Sequence, residues 1–105
     1  MTEGLEIVAS LSPRRPGEVL REEFMVPLGL SAGKIAKACG VSRTRVERIA
    51  AEKFGITGDT AVRLGKVLGA GPELWMNLQA KYETETAKIA LDDVIEMLPV
   101  LNKAA

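Results

Sequence analysis

The segment KIAKACGVSRTRVERI, Lys34 to Ile49, constrains the chain most, because it sets a glycine between two runs of helical periodicity. Before the glycine, Ile35, Ala36 and Cys39 share one face; after it, Val46, Ile49 and Ala50 do the same. Gly40 tolerates the left-handed backbone that ends a helix. Ser31 and Ser42 stand where each caps the run that follows it. Two short capped helices around a tight glycine turn make a helix-turn-helix unit. The close crossing of its helices asks for a small residue in the first, met by Ala36, and for a turn-tolerant residue four positions on, met by Gly40. It also asks for apolar residues around the turn and along the second helix, met by Ile35, Cys39, Val41, Val46 and Ile49.

The flanking sequence extends this unit with further helices. Pro16 opens a first helix, with Glu18 in its first turn and Val19, Leu20 and Phe24 on one face; Pro27 is expected to stop it. The second helix spans 32–39, and the third runs from the Ser42 cap to about Lys53. Thr57 caps a fourth, 58–68, with Ala61, Leu64, Val67 and Leu68 inward, closed by Gly69-Ala70-Gly71. Pro72 opens a fifth, with Leu74, Trp75, Leu78 and Tyr82 along one side. Asp92 or Asp93 restarts a final short helix carrying Val94, Ile95, Leu98 and Leu101, its end disturbed by Pro99. Aromatics are only 4% of the 105 residues, and Ala, Leu, Val and Ile supply most of the apolar surface. That mix suits helix packing better than strands. The expected architecture is all-α and compact, with five to six helices. Residues 1–14 form an irregular N-terminal segment, 15–88 the helix-turn-helix domain and 89–105 a C-terminal helical tail.

Charge is segregated although the formal net charge is zero. Residues 31–53 hold six basic and two acidic residues, whereas residues 1–30 are net −2 and residues 72–105 net −3. The positive charge therefore gathers on the turn motif, which is the footprint expected where a chain meets a phosphate backbone. The second helix of such a motif enters the major groove, leading with its N-terminal residues. Helical spacing puts Arg43, Thr44, Glu47 and Arg48 on its outward face as candidate base readers. Either arginine can present a bidentate fork to guanine, and Glu47 can accept from cytosine or pair with Arg43 instead. Lys34, Lys37, Ser42, Arg45 and Lys53 fall where phosphates would run. The competing reading is an ordinary solvated charged face.

Other chemistry finds little support. A single cysteine and no histidine leave no metal-ligand pair and no disulfide. Cys39 reads as a buried, inert core residue. There is no histidine base, activated nucleophile or phosphate-binding glycine loop, so neither enzymatic activity nor a cofactor is expected. No Arg-rich or apolar leader opens the chain and no apolar run approaches a membrane span, so a cytoplasmic protein without membrane contact is expected.

Two longer stretches carry a family resemblance. RPGEVLREEFMVPLGLS, Arg15 to Ser31, and GITGDTAVRLGKVLGAGPELWMNLQAKYE, Gly55 to Glu83, together with the turn motif between them, resemble the HigA-type antitoxins of the lambda-repressor-like helix-turn-helix superfamily. The resemblance covers Arg15 to Glu85. It implies an antitoxin of a type II toxin–antitoxin module: a homodimer that represses its own operon and neutralises a RelE-like ribonuclease toxin. A stand-alone repressor with no toxin, or a module whose basic patch binds acidic protein, are the alternatives. Two places depart from the family pattern. Ala32 and Gly33 stand where a polar residue is usual, and Arg15 stands where histidine is common.

Partner surfaces follow from this assignment. A dimer would use the stripe Leu74, Trp75, Leu78 and Tyr82 with the segment after it. Its paired recognition helices would read an inverted-repeat operator in double-stranded DNA. RelE-like toxins bind RNA and are basic, so an acidic surface is expected to receive one. Glu18, Glu22 and Glu23 crowd on the first helix with Arg21 to offset them, and Leu5, Ile7 and Leu11 precede them. Asp92, Asp93 and Glu96 offer a second acidic surface.

Overall fold

The computed structural model describes residues 13–102. Leu5, Ile7 and Leu11, the apolar residues ahead of the acidic cluster, lie outside the described residues. Six helices follow one another, and no strand occurs among the described residues.

Helix α1 (16–28) begins at Pro16, whose missing N–H costs nothing at a first helical position. It is α-helical over Pro16–Val19, π-helical over Leu20–Met25 and α-helical again over Val26–Leu28. The helix therefore does not stop before Pro27, as its sequence suggests. A proline inside an α-helix collides with the carbonyl four residues back. The wider winding, in which the Val26 N–H reaches the Arg21 carbonyl, relieves that crowding. The rod then closes at Gly29, where φ is 63°.

The turn motif follows. Helix α2 is Ala32–Cys39, with the Ser31 hydroxyl accepting from the Lys34 N–H at 3.1 Å. Gly40 takes φ 72°, and the Val41 N–H returns to the Ala36 carbonyl at 3.0 Å. Helix α3 is Arg43–Ala50, capped by Ser42, whose hydroxyl accepts from the Arg45 N–H at 3.2 Å. It ends three residues earlier than its periodicity suggests, because Glu52 adopts a left-handed φ of 64° that no helix continues. Thr57 caps α4, Gly58–Leu68; α5 is Pro72–Ala90 and α6 is Asp92–Ile95.

One core joins α1 to α5: Leu20, Ile35, Ala36, Val46, Ile49, Ile56, Leu64 and Trp75 are buried together. Its closest approaches rely on glycine. A Cβ at Gly17 would overlap the Ile49 carbonyl oxygen, so α1 sits directly on the last turn of α3. A Cβ at Gly65 would strike the Gly71–Pro72 backbone, so the same need holds between α4 and α5. Cys39 lies in this core, and burial pushes its thiol pKa up, as befits an inert packing residue.

The chain after Tyr82 leaves the core. Ile89, Leu91, Val94, Ile95, Leu98 and Leu101 are all exposed, Leu101 to 89%. No helix among the described residues is long and apolar enough to cross a membrane.

Candidate nucleic-acid interface

The outward face of α3 carries Arg43, Thr44, Glu47 and Arg48, all exposed. The Arg43 side chain is 73% exposed, and its Nε donates to Glu47 Oε2 at 2.9 Å. Glu47 is thus occupied with Arg43, as one of its two readings held. The aliphatic stem of Arg43 runs beside Gly33, whose missing Cβ would lie 3.6 Å from Arg43 Cδ. A Cβ there would make ordinary contact with the arginine, so the arginine packs beside α2 without depending on glycine at position 33. Arg48 stacks its guanidinium over the Phe54 ring at 5.2 Å. Both arginines are steadied without being buried, so each keeps donors free for a base edge.

Lys34 and Lys37 on α2, Ser42 before α3 and Lys53 after it are exposed around this face. Ser42 uses an oxygen lone pair to cap α3 and keeps its O–H to donate. The first backbone N–H groups of α3 add the positive end of the helix dipole at the same edge.

Arg45, expected beside the phosphates, is engaged within the chain. Its Nη2 donates to Asp59 Oδ1 at 3.1 Å and to the Thr60 hydroxyl, both on α4, because its position on α3 faces the fourth helix across the turn. Asp59 also accepts from Arg63 Nε at 2.8 Å, and Arg63 Nη1 donates to the Cys39 carbonyl at 2.7 Å. The hydrogen bond from Arg63, reinforced by Arg45, holds the Asp59 carboxyl below its ordinary pKa. Its contribution is present above the ordinary aspartate range and fades as pH falls through the lowered value. This Arg45–Asp59–Arg63 group fixes the turn between α2 and α3 from the side of α4. Sequence reasoning missed it. The i,i+4 spacing of Asp59 and Arg63 was a visible signal for that pair, but the bond to Cys39 joins residues 24 apart.

The expected dimer stripe is placed differently. Trp75 is fully buried, 5.3 Å from Phe24 between ring centroids, and offers no surface to a second copy. It belongs to this chain's own core because α5 lies across α1 there. Leu74 and Leu78 pack against the same core, and Tyr82 is half-buried beneath the Arg15 guanidinium at 4.8 Å. The acids of α1 are also less bare than their sequence suggests. Arg14 Nε lies 3.3 Å from Glu18 Oε2, Arg14 Nη1 lies 3.8 Å from Glu23 Oε2, and Arg21 pairs with Glu22 at 2.9 Å. None of the ion pairs among the described residues involves Asp92, Asp93 or Glu96.

No group of His, Cys, Asp or Glu side chains among the described residues is arranged to hold a metal ion.

Comparison with known proteins places this geometry in a family. No family model matches the chain. Virulence-associated protein I of Dichelobacter nodosus is 40% identical over 89 residues, spanning 85% of this chain and 82% of that protein. A solved structure of Pseudomonas aeruginosa antitoxin HigA with higBA promoter is 38% identical, with a TM-score of 0.78, covering 86% of this chain and 98% of that one. A structure of antitoxin GraA in complex with its operator is 40% identical, with a TM-score of 0.78, covering 85% and 91%. With a helix-turn-helix of this geometry and identity at this level over nearly the whole of a solved HigA chain, the protein belongs to the HigA-type antitoxins, a family of DNA-binding regulators and not of enzymes.

Proposed function

We propose that the chain binds an inverted-repeat operator as a homodimer, represses its own operon, and neutralises a RelE-like ribonuclease toxin. The observation that carries the DNA part is the exposed face of α3, where Arg43, Thr44, Glu47 and Arg48 stand clear of the core beside a turn held from the side of α4. Two similar proteins were solved with promoter or operator DNA, which supports the same use here.

Arg43 and Arg48 supply sequence reading, and Lys34 and Lys37 supply backbone attraction. Alanine at either arginine is expected to cost about 1–3 kcal/mol on a duplex from the chain's own promoter and much less on a scrambled duplex. Alanine at either lysine should weaken both duplexes alike and reduce the salt slope by about one. Titrations on the two duplexes at several salt concentrations decide it; equal arginine losses on both would refute the division of labour.

The dimer reading rests on the exposed apolar tail rather than on Trp75. Ile89, Leu91, Val94, Ile95 and Leu98 are exposed within ten residues of one another, and clustered exposed apolar residues commonly mark an interaction surface. At micromolar concentration the protein should sediment at twice its 11.3 kDa chain mass. The double variant Ile95→Asp/Leu98→Asp should sediment at the single-chain mass. A wild-type monomer would contradict the reading.

The toxin is assigned to the acidic face of α1, with Glu18, Glu22 and Glu23 as contacts. A basic partner can displace the surface pair that Arg14 makes with Glu18 and Glu23, since exposed pairs contribute little. The test uses Glu18→Lys with Glu23→Lys, leaving Glu22 and its shared Arg21 intact. Loss of co-purification with the product of an adjoining reading frame is expected. Unchanged co-purification would move the contact to Asp92, Asp93 and Glu96.

A further inference from the structure

We infer that Arg15, just before α1, and Arg21 within it are positioning residues for base reading by α3: they clamp its C-terminal end, so that Arg48 meets the groove at a fixed tilt. The inference rests on the proposal that α3 reads DNA.

A helix leaves its last four carbonyls without partners inside the helix. In α3 these belong to Glu47, Arg48, Ile49 and Ala50. The first three are taken locally: Glu47 by the Ala51 N–H at 2.9 Å, Arg48 by the Lys53 N–H at 2.9 Å, and Ile49 by the Glu52 N–H at 2.9 Å. The Ala50 carbonyl is taken by Arg21 Nη1, a side chain from another helix. The chain then turns at Glu52, the only non-glycine residue with positive φ among the described residues. The carboxylate and the carbonyl of Glu52 are both turned to the arginines of the N-terminal helix region. Its carboxylate accepts from Arg21 Nη2 at 3.0 Å, and its carbonyl accepts from Arg15 Nη1 at 2.7 Å.

Two cations thus sit at the negative end of the α3 dipole, where each is favourable. Arg15 also lies over Tyr82, which ties the clamp to α5. The other end of α3 is already fixed, by the Ser42 cap and the Arg45–Asp59–Arg63 group. Only with both ends held is the axis of the helix set. Arg48 lies two residues before the clamped carbonyl, and Phe54, on which it stacks, follows the clamped turn. Bidentate recognition tolerates misplacement of only about half an ångström, so release of this end should degrade reading while leaving general attraction to DNA intact.

The test uses the full chain as Arg21→Ala and Glu52→Gly, titrated on a duplex of its own promoter region and on a scrambled duplex, with thermal melting alongside. Glu52→Gly separates positioning from folding. Glycine favours the positive φ at this position, so the fold should melt no lower, while the carboxylate that holds Arg21 is gone. Each variant is expected to lose about tenfold on the promoter duplex, with scrambled-duplex binding and salt slope unchanged. A preference retained in both variants would overturn the inference. So would equal losses on both duplexes with a reduced salt slope, because that marks Arg21 as a phosphate contact. A wild-type protein with no preference between duplexes would instead refute reading by α3, and this inference with it.

Discussion

Gly17→Ala is expected to destabilise the protein by about 3 kcal/mol or more, at or above the upper end of the usual range for overpacking. The added methyl would occupy the Ile49 carbonyl oxygen, which is backbone and cannot rotate away. The only relief is a shift of α1 off the last turn of α3. That shift would also pull Arg15 and Arg21 from the carbonyls they hold. Chemical denaturation followed by circular dichroism should show the loss as an earlier midpoint. Operator binding by the fraction that stays folded should fall as well. A cost below about 1 kcal/mol would mean that the two helices do not meet as closely as they do here.

Trp75→Ala should cost about 3–5 kcal/mol, the range for deleting a large buried aromatic. Trp75 is fully buried and packs against Phe24, so its removal empties the space between α5 and α1. In a domain with a typical total of about 5–15 kcal/mol, that leaves little margin. Trp75→Phe should behave differently. The Trp75 Nε1–H is buried with no hydrogen-bond partner among the described residues, and a buried N–H left unpaired carries a penalty of about 1–3 kcal/mol. Phenylalanine removes that group, which offsets part of the lost volume. Because Trp75 is the only tryptophan, circular dichroism must serve as the readout. Should Trp75→Ala cost no more than Trp75→Phe, the residue would not be the packing anchor described.

The sequence was legible where a residue's own backbone chemistry decides its structure. Ser31, Ser42 and Thr57 each cap the helix they precede, because a side-chain oxygen needs only an N–H three residues on. Gly40 closes α2 with positive φ for an equally local reason. Reading failed where distant residues decide. Glu52 carries no intrinsic preference for a left-handed backbone; arginines 31 and 37 positions earlier hold its carboxylate and carbonyl. Arg45 resembles any surface cation until α4 is folded against it. Pro27 reads as a helix stop, and only the π winding before it lets the helix pass. Trp75 sits on an apolar stripe that suits a dimer or a core equally, and the lie of α5 across α1 settles which. On the face of α3 the outward set was legible because helical periodicity alone separates Arg43, Thr44, Glu47 and Arg48 from Val46 and Ile49.

Guanine N7 protection on the chain's own promoter DNA tests the central claim most directly, because that atom lies in the major groove and is where an arginine fork docks. A dimer that reads with two copies of α3 should protect two clusters of guanines, their centres about one helical turn, or 34 Å, apart. Both clusters should disappear with Arg43→Ala/Arg48→Ala, while binding at low salt survives through Lys34 and Lys37. A single protected cluster would contradict the dimer. Protection unchanged by the double arginine variant would contradict reading by α3.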